Sequence, residues 1–145
     1  MLGPIAGVLF ISSLLTAAVI DARERRFPNC LALAALLLGS VAVLLSHGPC
    51  TLVVNLGLAA CASGSLVAFE VLWRALHGGG SGIGMGDVKA LAAMMSFSPV
   101  AGLGGFCVGL LGLAVFGVAA RKRSLPLLPF AVPGFLLALL AVSQG

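Results

Sequence analysis

Two aspartates stand out in a chain that is otherwise close to hydrocarbon. Asp21 follows a long uncharged apolar run, and Asp87 follows the alternating glycines of GIGMGDVKA (82–90). Acids at a membrane boundary are expensive to keep ionised and are functional candidates by default. Two carboxylates within a few ångströms of each other cannot both ionise easily. One keeps a proton, and the pair can then act as acid and base on a single water. That is the chemistry of an aspartic peptidase, and it needs neither a metal nor a covalent intermediate. Glycines ahead of Asp87 would let backbone or substrate come close to its carboxylate. A plainer arrangement fits the same residues: Asp87 caps the helix that follows it, and Asp21 pairs with an arginine. The residues alone leave both open.

Other chemistries fail on spacing. The glycine-rich stretch contains no G-x-x-x-x-G-K-[ST] frame. It also lacks G-x-G-x-x-G, because position 85 is Met and position 87 is Asp. His47 and His77 have no Cys or His neighbour at metal-ligand spacing, so no metal site and no cofactor is expected. Cys30, Cys50, Cys61 and Cys107 form no C-x-x-C pair and read as small apolar packing residues. With no Tyr and one Trp, the chain has no stacking platform for bases, and nucleic acid is not an expected partner.

The elements that must position the acids are membrane spans. The chain has 145 residues, 61% hydrophobic and 8% charged, with a mean hydropathy of +1.22. A water-soluble domain of this size needs far more polar surface, so the solvent for most of the chain is the lipid bilayer. Leu2–Ile20 is an uncharged first span. It is expected to be retained rather than cleaved as a signal peptide, because it has no basic leading region and acid and base follow it. The polar loop DARERRFPN (21–29) comes next, then spans over Cys30–Ser46 and Thr51–Trp73, separated by a turn at 47–49. A glycine-rich loop covers 74–86. Residues 88–120 are too long for one span, and SFSPVAGLGG (96–105) offers a break, giving spans over about 88–101 and 104–120. After RKR (121–123), a proline-broken run over Leu125–Ser143 closes the chain. The expected fold is an all-α polytopic bundle of about six transmembrane helices, forming one integral-membrane domain over 1–145.

The basic residues orient it. With six spans, all eight Lys and Arg fall on one side, which the positive-inside rule makes cytoplasmic, with both termini outside. Reading 88–120 as one span would move RKR across and break that sorting. Asp21, Glu24, Glu70 and Asp87 fall at the same cytoplasmic edge. Glu70 is expected to pair with Arg74 at i,i+4, and Gly105 and Gly109 form a G-x-x-x-G suited to close helix packing. Lys89 lies two residues from Asp87, about 200° around a helix. It is therefore expected to face away from the acids and to snorkel or set topology.

GMGDVK (84–89) resembles the G-x-G-D-hydrophobic-K signature of the type IV prepilin peptidases, the bacterial G-x-G-D aspartic peptidases. DARERRFPN is similar to that family's other motif, an aspartate followed by basic residues and then an apolar residue, Pro and Asn. LPFAVPGFLLAL (128–139) is loosely similar to its proline-rich last segment. The resemblance covers nearly the whole chain. It implies a multi-pass peptidase of the bacterial inner membrane, acting in type IV pilus and protein secretion systems. Such an enzyme removes the leader peptide of prepilin or pseudopilin substrates at the cytoplasmic face. Carried over, Asp21 and Asp87 are the catalytic pair, with Gly84, Gly86, Lys89, Pro28 and Asn29 as motif residues that support them. The short 21–29 loop resembles the Flp/Tad-type form, which lacks the cysteine-bearing insert associated with methylation of the mature pilin.

Helix dipoles suggest a division of labour. Asp21 ends one helix and Asp87 begins another, so Asp87 is expected to be the more acidic partner. Two other functions compete: a small proton- or cation-coupled transporter, disfavoured because both acids lie at one face rather than mid-membrane, and a non-catalytic partner in secretion assembly.

Overall fold

The structure is a computed structural model that describes residues 2–24, 27–77, 84–120 and 126–144. Among these the chain forms six helices and no strand: α1 (Leu2–Glu24), α2 (Asn29–His47), α3 (Pro49–His77), α4 (Met85–Phe97), α5 (Pro99–Ala120) and α6 (Leu128–Gln144). They run up and down. One end of the bundle carries Asp21, Asn29, Asp87 and Leu128. The other carries Gly3, Ser46, Phe97, Pro99 and Val142 around a cavity of about 670 Å³.

Four helices, α1, α2, α3 and α5, are long and apolar enough to cross a membrane. Their outer surfaces are aliphatic: Val8, Leu33, Val53, Leu111 and Val118 all face outward. This inversion of the soluble pattern follows from lipid as solvent, and the protein is a multi-pass membrane protein. The four cysteines join that outer surface rather than the packed interior expected of them. The glycine loop at 78–83, Arg25, Arg26 and the RKR loop lie outside the described residues.

α4 is central and short. Its 13 residues reach only about 20 Å, against a hydrocarbon core of about 30 Å. The sequence break resolves to a single residue, Ser98, whose extended backbone (φ −149°, ψ 110°) separates α4 from α5. Pro99 explains it, because proline disfavours helical geometry in the residue before it and suits the first position of a new helix. The break leaves carbonyls bare at membrane depth. Asn55 of α3, buried, donates its side-chain N–H groups to Ser96 O (3.4 Å) and Phe97 O (3.2 Å) and so restores their hydrogen bonding.

The interior is built from periodic stripes. α1 turns Gly3, Ala6, Phe10, Leu14, Ala17 and Asp21 inward, at spacings of three and four. That periodicity carries Asp21 within helix α1, rather than starting a loop as expected, because the helix runs on to Glu24. α2 presents Ala32, Ala35, Gly39 and Ala42, small enough for α1 and α4 to close on it. Phe10 stacks on Phe97 (centroids 4.9 Å), and Phe135 meets Phe10 edge-on at 6.0 Å. The three rings join α1, α4 and α6.

α5 and α6 pack most closely. A Cβ placed on Gly105 would lie 2.5 Å from the Phe135 backbone, and one on Gly109 would lie 2.7 Å from Ala131 Cα. The G-x-x-x-G is therefore a packing seam, as expected. α6 is continuous from Leu128 despite its prolines: Pro129 lies in the first turn, where its missing N–H costs nothing, and Pro133 lies inside the helix. We expect Gly105→Ala to cost about 1–3 kcal/mol, as overpacking does, and to lower the thermal midpoint in detergent. Gly57→Ala, where a Cβ meets nothing within 4 Å, should not lower it. Equal midpoints for the two variants would refute the seam.

Candidate active site

The two aspartates are brought together by helix ends. Asp21 lies near the end of α1, 7% exposed. One of its oxygens accepts a hydrogen bond from the backbone N–H of Leu128, at 3.2 Å. Leu128 is the first residue of α6, so its N–H is one of the donors a helix start leaves without an internal partner. Pro129 has no N–H to offer, which makes Leu128 the natural donor of that turn. Asp21 thus sits at the unfavourable end of its own helix but at the favourable end of α6. The dipole expectation for Asp21, drawn from α1 alone, misses this second helix.

Asp87 is in the first turn of α4. Its backbone N–H bonds Gly84 O at 2.9 Å, and its carboxylate folds back to accept the Gly84 N–H. It therefore does cap its helix, from inside the first turn. Gly84 has an ordinary extended backbone (φ −71°), so conformational freedom is not what requires glycine there. Space is: a Cβ on Gly84 would lie 3.1 Å from Asp87 Oδ2. Gly86 lies against the buried Phe27, whose Cβ would be 3.4 Å from a side chain at 86.

Asp87 precedes the apolar stretch of α4 and stands outside the spanning helices. Burial, and then the negative charge of Asp21, push its pKa up to about 6, against the opposing pull of the Gly84 hydrogen bond. The α4 dipole, on which Asp87 is expected to be the more acidic partner, does not by itself set its acidity: desolvation and a like charge outweigh the helix terminus. The charge of Asp21 thus reaches Asp87.

The other motif residues form a second cluster. Pro28 begins α2 from an extended conformation (φ −59°, ψ 135°), and its carbonyl accepts the Ala32 N–H at 3.0 Å. Lys89 Nζ donates to Asn29 Oδ1 at 2.6 Å, tying α4 to the start of α2. Glu70 makes the expected i,i+4 pair with Arg74, at 2.7 Å. The Leu128 N–H is the site feature that residue types could not reveal, since any residue but proline supplies one. Its only sequence signal is the proline that follows.

Two carboxylates in one site, one with its pKa near neutrality and the other held by a backbone donor, can serve as acid and base on a bound water. A family model described as the type IV leader peptidase family matches residues 8–143. No curated protein and no solved structure matches the chain.

Replacing Asp21 by Asn removes one of the two causes that raise Asp87 and leaves burial in place. In Asp21→Asn, Asp87 should titrate below about 6 but above its ordinary 3.8, read by infrared on isotope-labelled carboxyls. A value at or above that of the wild type would show that the Asp21 charge does not reach Asp87.

Proposed function

The chain belongs to the type IV leader peptidase family, and from that premise we propose that it is an aspartic endopeptidase whose Asp21 and Asp87 activate water. Its substrate is a prepilin or pseudopilin. It removes the leader peptide at the cytoplasmic face of the bacterial inner membrane. The observation that carries this reading is that two acids far apart in sequence meet at one end of an apolar bundle, where the charge of Asp21 reaches Asp87.

The division of roles follows from their surroundings. Asp87, raised to about 6, holds the shared proton. Asp21, with Leu128 N–H on one oxygen, takes a proton from water as the water oxygen attacks the scissile carbonyl carbon. Asp87 gives its proton to the carbonyl oxygen, leaving a neutral tetrahedral diol. Collapse of the diol breaks the C–N bond, the amine leaves with the proton held by Asp21, and a diol hydroxyl returns its proton to Asp87. Both acids end in their starting states. The absence of a Cβ at Gly84 leaves one side of Asp87 open to a peptide backbone. The basic residues around this end support a cytoplasmic placement.

In proteoliposomes containing a prepilin-like substrate with an intact leader, the wild type should release the leader, as read by mass spectrometry. Asp21→Asn and Asp87→Asn should each slow release by roughly 10²–10⁴-fold, the range for losing a general acid or base. The alkaline limb of the wild-type pH–rate profile should report loss of the Asp87 proton. Cleavage at the wild-type rate by either variant would refute the pair, and ion flux without cleavage would point to transport.

A further inference from the structure

α1 carries Asp21 and α4 carries Asp87, yet the two helices are joined mainly through others. α1 packs on α2 and α6, while α4 packs on α2, α3 and α5. α2 packs broadly on both, and α6 touches both through Phe135. At the start of α2, Asn29 accepts a hydrogen bond from Lys89 Nζ at 2.6 Å, a short charge-assisted contact between residues 60 positions apart. Two residues earlier, Phe27 is buried against Gly86. The entry to α2 and the first turn of α4 therefore meet at two points. Pro28, lying between Phe27 and Asn29, stiffens one side, and the helical turn from Gly86 to Lys89 stiffens the other.

Lys89 and Asp87 lie about 200° apart around α4. A contact that holds Lys89 against α2 fixes where Asp87 points. We propose that Lys89 and Asn29 form a clasp that sets the rotation of α4 and so aims Asp87 at Asp21. Both are positioning residues, since neither ammonium nor amide touches the acids. Asn29 is exposed at the first helical position and does not cap its own helix, so its side chain is free to serve α4. With Asp87 read as half of the catalytic pair, the rotation of α4 becomes a determinant of turnover.

The groups facing Asp87 set what loosening the clasp does. They are Asp21 from α1 and the Gly84 N–H from its own loop; Glu70 and Arg74 of α3 lie beside Met85 and Val88 on the same turn. Turning Asp87 away from Asp21 weakens the repulsion and lowers its pKa. Asn29→Ala is the cleaner probe, because it removes the acceptor without changing charge.

The test is a double-mutant cycle of Asn29→Ala and Lys89→Ala in the reconstituted full chain, with kcat, KM and the pH profile measured. Each single variant should lower kcat about tenfold to a hundredfold, the scale of a misplacement near 1 Å, with little change in KM. The double variant should be no worse than the poorer single. Asn29→Asp, which keeps the acceptor, and Lys89→Arg, which keeps a donor, should recover most of the rate. Independently of turnover, the Asp87 carboxyl in Asn29→Ala should titrate below its wild-type value by infrared. Multiplicative losses in the cycle, or an unchanged Asp87 titration in Asn29→Ala, would overturn the clasp. A wild type that cleaves nothing while Asn29→Ala still shifts Asp87 would sink the peptidase reading and leave the clasp standing.

Discussion

A carboxylate in an apolar bundle needs backbone donors in place of water, and helix starts are where a folded chain has N–H groups to spare. Asp87 uses the start of its own helix, through Gly84, and Asp21 uses the start of α6, through Leu128. Much of the architecture serves that arrangement. α6 must begin level with the end of α1, and α4 must begin level with both. The alternating up-and-down path of six helices places three starts at one end of the bundle, and two of them receive an acid. Seating is incomplete at Asp87, where burial and the neighbouring charge still hold the pKa near 6. A fully satisfied acid would be a poor proton donor, so the imbalance suits acid–base work.

The short central helix follows from the same economy of polar groups. α4 stops at Phe97 because Pro99 prevents its last residues from continuing in helical geometry, and Asn55 supplies the hydrogen bonds the bare carbonyls would otherwise lack. The space beyond its tip is the 670 Å³ cavity at the end remote from the acids. Aromatic packing of Phe10, Phe97 and Phe135 closes the interior between that cavity and the acid pair. Small residues on α2 and glycines on α5 bring the backbones close, in a solvent where burying apolar surface between helices gains little and van der Waals packing has to hold the bundle together.

Besides Asn55 at the far end, two polar contacts lie near the acid pair. Glu70 with Arg74 and Lys89 with Asn29 each join a cation to an acceptor beside α4. Both keep long cationic side chains ordered close to the site. The contact between Lys89 and Asn29 differs in kind because it links two helices, whereas Glu70 and Arg74 share one.

Much of this was legible before any coordinates. The hydropathy required lipid, and the apolar runs yielded six helices with most boundaries within a few residues. Asp21 and Asp87 stood out because charge is so rare here. The i,i+4 pairing of Glu70 with Arg74 and the packing role of Gly105 and Gly109 both follow from helical periodicity, which is a local property. What the sequence could not determine is which helix ends meet. The dipole argument could not include α6, more than a hundred residues away, whose first N–H reaches Asp21. Nor could it include the desolvation and like charge that neighbours impose on Asp87. The four cysteines were misplaced because nothing in their spacing says which side of a helix faces lipid. The partners of Lys89 and Asn55 lie 60 and 41 or 42 positions away. Local chemistry determined the helices and the candidate acids; only the packing of those helices decided how the acids are solvated, and hence what they can do.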